Sequence, residues 1–241
     1  MSGPRHDTPR APGDPPPSRP PRPHDALRSI GAWLLLIAVT FVGVAIDLVS
    51  KWAAFANTAG RPVEVRREDV LACAESGRSL GSLIPHHEPV TVIPGLLDLT
   101  LVLNPGAVFG IGAGKRWFFV AFTVGALGLA IWMFGAWTRA RDRAAHVAIG
   151  LLLAGGLGNL YDRLVYGCVR DFIHPLPGAE LPFGWTVPFT GSRAVWPYVS
   201  NLADLWLLIG IGMLMWFLWR GGGRHAARPL PLAPAGRPPA A

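Results

Sequence analysis

Charge is scarce in this sequence. Only 15% of its 241 residues are Asp, Glu, Lys or Arg, while 51% are hydrophobic and ten are Trp. A soluble domain carries about 25% charge, so the composition excludes an ordinary soluble protein and points to the membrane. Cysteine is nearly absent: Cys73 and Cys168 are the two in the chain, too few for a disulfide framework. Both fall on the outer side of the topology that the charges imply, where a disulfide is chemically permitted and two unpaired thiols are equally consistent. The VLAC ending at Cys73 lacks the charged and apolar regions that precede a lipoprotein acylation site. His86 and His87 are adjacent, with no metal-ligand spacing around them. No Ser, His or Cys arrangement follows nucleophile-base logic, and the halves of the chain show no repeat of the kind that builds an inverted-repeat transporter. Acidic residues number 15 against 22 Lys and Arg, for a net charge of +7. Nucleic acid is not the implied partner. Twelve of those 22 cations lie in residues 1–29, in Arg139 to Arg143, or from Arg220 onward, flanking the apolar stretches as cytoplasmic segments do.

What the sequence does contain is four apolar runs. Gly31 to Ile46 can continue as helix through Asp47, Lys51 and Phe55; Trp117 to Thr138, about Ala144 to Tyr161, and Leu202 to Trp219 follow. Each approaches the roughly twenty residues that cross a bilayer. The expected fold is an α-helical integral membrane protein with four transmembrane helices, a small extracytoplasmic β-sheet and disordered tails. Residues 1–28 and 221–241, rich in Pro, Ala and Arg, are the expected tails. Residues 57–88 read as a polar, solvated loop. TVIPGLLDLTLVLN, from Thr91 to Asn104, reads as a turn at Pro94-Gly95 and a β-rich segment. In the third span Gly150, Ala154 and Gly158 recur every four residues, a stripe that admits a neighbouring helix.

The polar residues inside this apolar frame are few and clustered. GGLGNLYDRLVYGCVRDF, from Gly155 to Phe172, places Asn159, Asp162 and Arg163 on one helical face. Gly167 offers a helix stop, and Asp171 follows it. Asp204 sits in the first turn of the last span, three residues after Asn201. Asp47 and Lys51 stand at i, i+4 near the end of the first span, in the order that favours an ion pair. Asn104 and Gly106 lie in the NPG turn before the second span. With both termini and the 139–146 loop cytoplasmic, every one of these motifs falls at the outer membrane surface.

Asp171 and Asp204 are therefore expected to meet. Two carboxylates held close at a lipid boundary do not both ionise easily, so one keeps its proton. That is the arrangement of an aspartic protease: one acid activates a water while its protonated partner binds the peptide carbonyl and later protonates the leaving amine. Structural readings stand beside it. Asn201 and Asp204 resemble a capping box, and Asp162 next to Arg163 is a candidate ion pair. A proton-coupled transporter using Asp171 and Asp204 as relays is the rival function, and a non-catalytic scaffold is the other.

IDLVSK around Asp47, NPGAVF from Asn104, GGLGNLYDR from Gly155, VRDF around Asp171 and NLAD from Asn201 occur in that order over residues 30–220. Together they resemble the bacterial lipoprotein signal peptidases, the signal peptidase II family. The resemblance implies a membrane aspartic endopeptidase that removes the signal peptide of diacylglyceryl-modified prolipoproteins before the lipidated cysteine. It implies no cofactor and no metal, a monomer, and residence in the bacterial inner membrane with periplasmic loops at 57–116 and 172–199. Asp171 and Asp204 match the catalytic pair. Asn104, Gly106, Asn159, Arg163 and Asn201 match substrate- and pair-positioning residues, and Asp47, Lys51 and Asp162 match supporting ones. Arg170 stands where the family has an apolar residue, and a cation there is expected to favour ionised Asp171. Ser200 replaces a usual Phe, and both outer loops are long.

Overall fold

A computed structural model describes residues 26–106, 116–187 and 191–220. The remaining parts of the expected tails, and Ala107 to Gly110 of the NPGAVFG turn, lie outside these residues. Four long apolar helices dominate: α1 (Ile30–Asn57), α3 (Arg116–Trp137), α4 (Arg143–Val165) and α5 (Leu202–Trp219), all long and apolar enough to cross a membrane. At about 1.5 Å per residue, the 28 residues of α1 exceed the bilayer core and carry Asp47 and Lys51 toward its far end. Ser29 caps α1, its hydroxyl accepting the Ala32 N–H at 3.2 Å.

The most buried of the four is α4, and its small residues explain why. Lipid removes the hydrophobic drive between helices, so close packing must replace it. Gly150 sits against Val39 and the Leu36 carbonyl, Ala154 against Gly43, and Gly158 against Asp47, so the predicted stripe is the α1 contact. Gly155 faces Ala203 and Leu207 of α5. Two side chains lock the approach: Thr40 Oγ1 lies 3.2 Å from the Gly150 carbonyl, and Trp206 Nε1 donates to the Gly43 carbonyl at 3.1 Å. The expected N-terminal tail ends earlier than the sequence implied. Ala26–Arg28 form a 3-10 turn, and Ala26 is buried with Phe134 and Ile149, because this short apolar segment covers the end of the bundle.

The sheet is antiparallel with order β1-β2-β3, built from β1 (Val90–Ile93), β2 (Leu97–Asn104) and β3 (Val169–Pro175). Gly95, at φ 71°, makes the hairpin turn that Pro94-Gly95 predicted. The third strand carries Asp171 opposite Val102. It is extended by one further bridge: the Ser200 carbonyl accepts the Phe172 and Ile173 N–H groups at 2.9 and 2.8 Å, and Ser200 N–H returns to Ile173 at 2.8 Å. This backbone link, available to any residue but proline at 200, brings the start of α5 beside Asp171.

Residues 57–88 are not a simple solvated loop. They contain α2 (Arg67–Glu75) and a 3-10 turn at Leu80–Leu83. Val70, Cys73 and Leu80 pack with Ala54, Phe55, Leu101, Leu103, Cys168 and Phe172 into one cluster. The segment is polar on average, but its apolar minority is spaced to face one way, and sheet and helix ends provide the surface to cover. Both cysteines are in this cluster as free thiols. Burial, then the charge of Asp162, pushes the Cys168 thiol up to about 12. His87 is structural: its Nε2 accepts the Leu101 N–H at 3.1 Å while Nδ1 lies 3.0 Å from the Pro85 carbonyl, which assigns its proton to Nδ1.

Candidate active site

Asp171 and Asp204 arrive from different elements, a strand and a helix N-terminus; Asn201 and Asn159 link them, and Asn104 holds Asp171 from the other side. Asp171 Oδ1 accepts from Asn201 Nδ2 at 2.5 Å and its Oδ2 from Asn104 Nδ2 at 3.1 Å. Asp204 Oδ1 accepts from Asn159 Nδ2 at 2.8 Å and its Oδ2 from the Asn201 backbone N–H at 3.3 Å. Each carboxylate oxygen thus meets one asparagine N–H. The capping box is present as well, since Asn201 Oδ1 accepts the Asp204 N–H at 3.2 Å. Capping and site-building are one arrangement here: the cap fixes the rotamer that points Asp204 at Asn159.

Asp171 is 1% exposed, whereas Asp204 is half-buried. Burial pushes the Asp171 carboxyl up to about 7, with the nearby charge of Asp204 adding to it; the Asn201 and Asn104 bonds and the charge of Lys51 act in the opposite direction. Asn104 is held by its own turn, because its Oδ1 accepts the Gly106 N–H at 2.9 Å. Gly106 has φ 95°, and a Cβ there would stand 2.7 Å from the Phe119 ring, so glycine is required on both counts.

Behind the asparagines lies a buried ionic network. Lys51 Nζ donates to Asp47 Oδ2 at 2.8 Å and Asn159 Oδ1 at 3.2 Å, and lies 3.5 Å from Asp162 Oδ2. Asp47 Oδ1 accepts the Ala203 N–H at 2.9 Å, tying α1 to the first turn of α5. Asp162 does not pair with Arg163, because adjacent helical residues project apart. It pairs with Arg170, taking the guanidinium at 2.9 Å and the Arg170 N–H at 2.9 Å. Arg170 also lies over the Tyr166 ring at 4.1 Å. The expectation that Arg170 biases Asp171 toward its charged form is therefore overturned: consecutive strand residues face opposite ways, and burial keeps Asp171 above the ordinary range.

Arg163 is the remaining cation. Its Nη1 makes one bond of 3.3 Å, to the Asn159 carbonyl, and its Nε is buried without a partner among the described residues. All ten predicted site residues therefore gather at one end of the bundle. Sequence reasoning missed four participants: the Arg170 clamp on Asp162, the Ala203 N–H, the Ser200 bridge and Phe119. Only a run of apolar residues around Arg170 hinted at a buried strand, and nothing local announced its partner. Among the described residues, no group of His, Cys, Asp or Glu could hold a metal ion.

Four apolar helices and a small sheet, with one acid from the sheet and one from a helix linked through an asparagine at one end, define a membrane protein with a two-carboxylate site. The signal peptidase (SPase) II family model matches residues 39–220. A lipoprotein signal peptidase from Symbiobacterium thermophilum is 30% identical over 182 residues, which is 75% of this chain and 91% of that protein. Another from Desulfitobacterium hafniense (strain Y51) is 35% identical over 129 residues, 53% of this chain and 72% of the relative. Two solved bacterial membrane enzyme structures, obtained by the in meso method at 2.3 and 1.9 Å resolution, share 26% identity at TM-score 0.50. They cover 81% and 77% of this chain, each over 93% of its own length. The chain belongs to the signal peptidase II family and is an aspartic peptidase. The transporter reading is not favoured.

Proposed function

We propose that this protein removes the signal peptide from diacylglyceryl-modified lipoprotein precursors, cleaving before the lipidated cysteine, with Asp171 and Asp204 as the catalytic pair. The observation that carries the assignment is the shared frame: Asn201 binds Asp171 through its side chain and Asp204 through its backbone. Buried Asp171, raised to about 7, carries the proton and polarises the scissile carbonyl. The more exposed Asp204 takes a proton from water, which attacks the carbonyl carbon. The tetrahedral intermediate collapses when the pair protonates the leaving amine. Arg163, with unused buried donor capacity, is the group placed to hold a substrate carbonyl. A monomer is sufficient, since all these groups come from one chain.

The basic flanks support an inner-membrane topology with both termini cytoplasmic and the site at the periplasmic face. There a signal helix can approach from the bilayer while the acyl chains of its lipidated cysteine remain in lipid. Residues 29–220 form the peptidase domain in this reading. The test is cleavage of a defined diacylated prolipoprotein in proteoliposomes. Asp171→Asn and Asp204→Asn are each expected to lose roughly 10²–10⁴ in rate while remaining folded; near-normal cleavage by either removes that residue from the pair.

A further inference from the structure

An asparagine amide has a donor end and an acceptor end, and only its surroundings decide which faces a given neighbour. The three amides at this site are set in different ways. Asn104 and Asn201 are set by backbone: each carbonyl oxygen accepts a main-chain N–H, from Gly106 and Asp204, which leaves the nitrogens for Asp171. Backbone donors survive any substitution short of proline. Asn159 has no such lock. Its Oδ1 accepts from Lys51 Nζ and from Asn201 Nδ2, each at 3.2 Å.

We infer that Lys51 is a positioning residue for the acid pair, acting through Asn159. An ammonium has three protons and no acceptor, and Lys51, completely buried, donates to Asp47 and Asn159 and lies 3.5 Å from Asp162 as an ion pair. Asp47 and Asp162 are balanced by Lys51 and Arg170 together; the contact with Asn159 then does the aiming. With Lys51 in place, a turned amide would set its NH₂ against a cation. The amide nitrogen is thereby held on Asp204 Oδ1 at 2.8 Å, donating to the acid that takes the proton from water. Without Lys51 only Asn201 opposes the turn. A turned Asn159 would present its oxygen to Asp204, an arrangement compatible only with protonated Asp204. Proton placement within the pair then changes, although neither acid has been touched and Arg163, the other cation whose charge reaches both acids, is unaltered.

This inference rests on the catalytic pairing proposed above. The test is the pH profile of kcat and KM for prolipoprotein cleavage by Lys51→Met, Lys51→Arg and the charge-balanced Asp47→Asn/Lys51→Met. In the double variant the amide introduced at position 47 still offers an oxygen to the Ala203 N–H, which keeps the variant informative if Lys51→Met fails to fold. The expected result is a fall of roughly tenfold to a hundredfold in kcat with KM nearly unchanged. The acid limb of the profile moves to higher pH in both Met variants, and Lys51→Arg restores it. A merely structural lysine would reduce the folded fraction while leaving profiles superimposable after correction for folded protein, and that result overturns the inference. Asp171→Asn run alongside separates the two ideas. If it still cleaves, the catalytic pairing falls; if it is dead while the Lys51 variants keep the wild-type profile, only the role of Lys51 falls.

Discussion

Arg170 Nη2 lies 2.9 Å from Asp162 Oδ1, on the opposite side of its strand from Asp171. A cation adjacent in sequence to Asp171 is thus spent on a different acid. It fastens β3 to the end of α4 through both its side chain and its N–H. Asp171 inherits its position from that clamp without sharing its charge.

Arg170→Val is therefore expected to lower stability and leave the chemistry alone. Removing one partner of a buried pair costs about 3–5 kcal/mol, and Lys51, 3.5 Å from Asp162, brings the expected loss to about 3 kcal/mol. Thermal unfolding in detergent measures the loss. The pH profile of the remaining folded enzyme should overlay that of the wild type; a displaced profile would show that the guanidinium acts on Asp171.

Asp171 makes two linked predictions about pH. Its folded pKa of about 7 stands above the ordinary 3.8, so cleavage should decline as pH rises through 7 and the acid loses its proton. For stability, the unfolded chain ionises this group first. Stability is intact below about pH 4, is lost progressively as pH climbs toward 7, and levels off above it. Asp171→Asn does not titrate, so its stability relative to wild type should improve by about 3 kcal/mol between pH 5 and pH 8. Unfolding curves at the two pH values check this, and an equal difference at both would contradict it.

Two glycines separate packing from propensity. At Gly158 an added Cβ would collide with the Asp47 carboxylate, whereas at Gly125 nothing lies within 4 Å. Gly158→Ala should cost about 1–3 kcal/mol and impair cleavage by displacing Asp47 Oδ2 from Lys51. Gly125→Ala should be neutral or slightly stabilising, since alanine suits a helix better. Paired melting and activity measurements decide.

Cys168 is fully buried and its thiol is raised to about 12. A thiol that stays protonated is a poor nucleophile. Maleimide should label it only after denaturation, and rapid labelling of the folded protein would show that the cluster under α2 opens.

The hydrophobic runs determined four crossings, and the spacing of Asn159, Asp162 and Arg163 determined a polar helical face, because helix periodicity is a local property. The turn at Pro94-Gly95 and the cap at Asn201 were legible for the same reason. Resemblance of five short motifs then joined distant residues that no periodicity connects. What the amino-acid order alone left undecided was every pairing between elements. The polar stretch 57–88 looked solvated because its apolar residues are few, and only the sheet showed what they cover. Asp162 had a neighbour in Arg163 but found Arg170, across a turn. Asp171 was visible beyond a helix, yet its strand exists only because β2 and Ser200 supply hydrogen bonds from far along the chain, on either side of it in sequence. Which end of each asparagine faces an acid was likewise a tertiary decision, since it depends on a lysine from one helix, a backbone N–H from another and the turn after a strand.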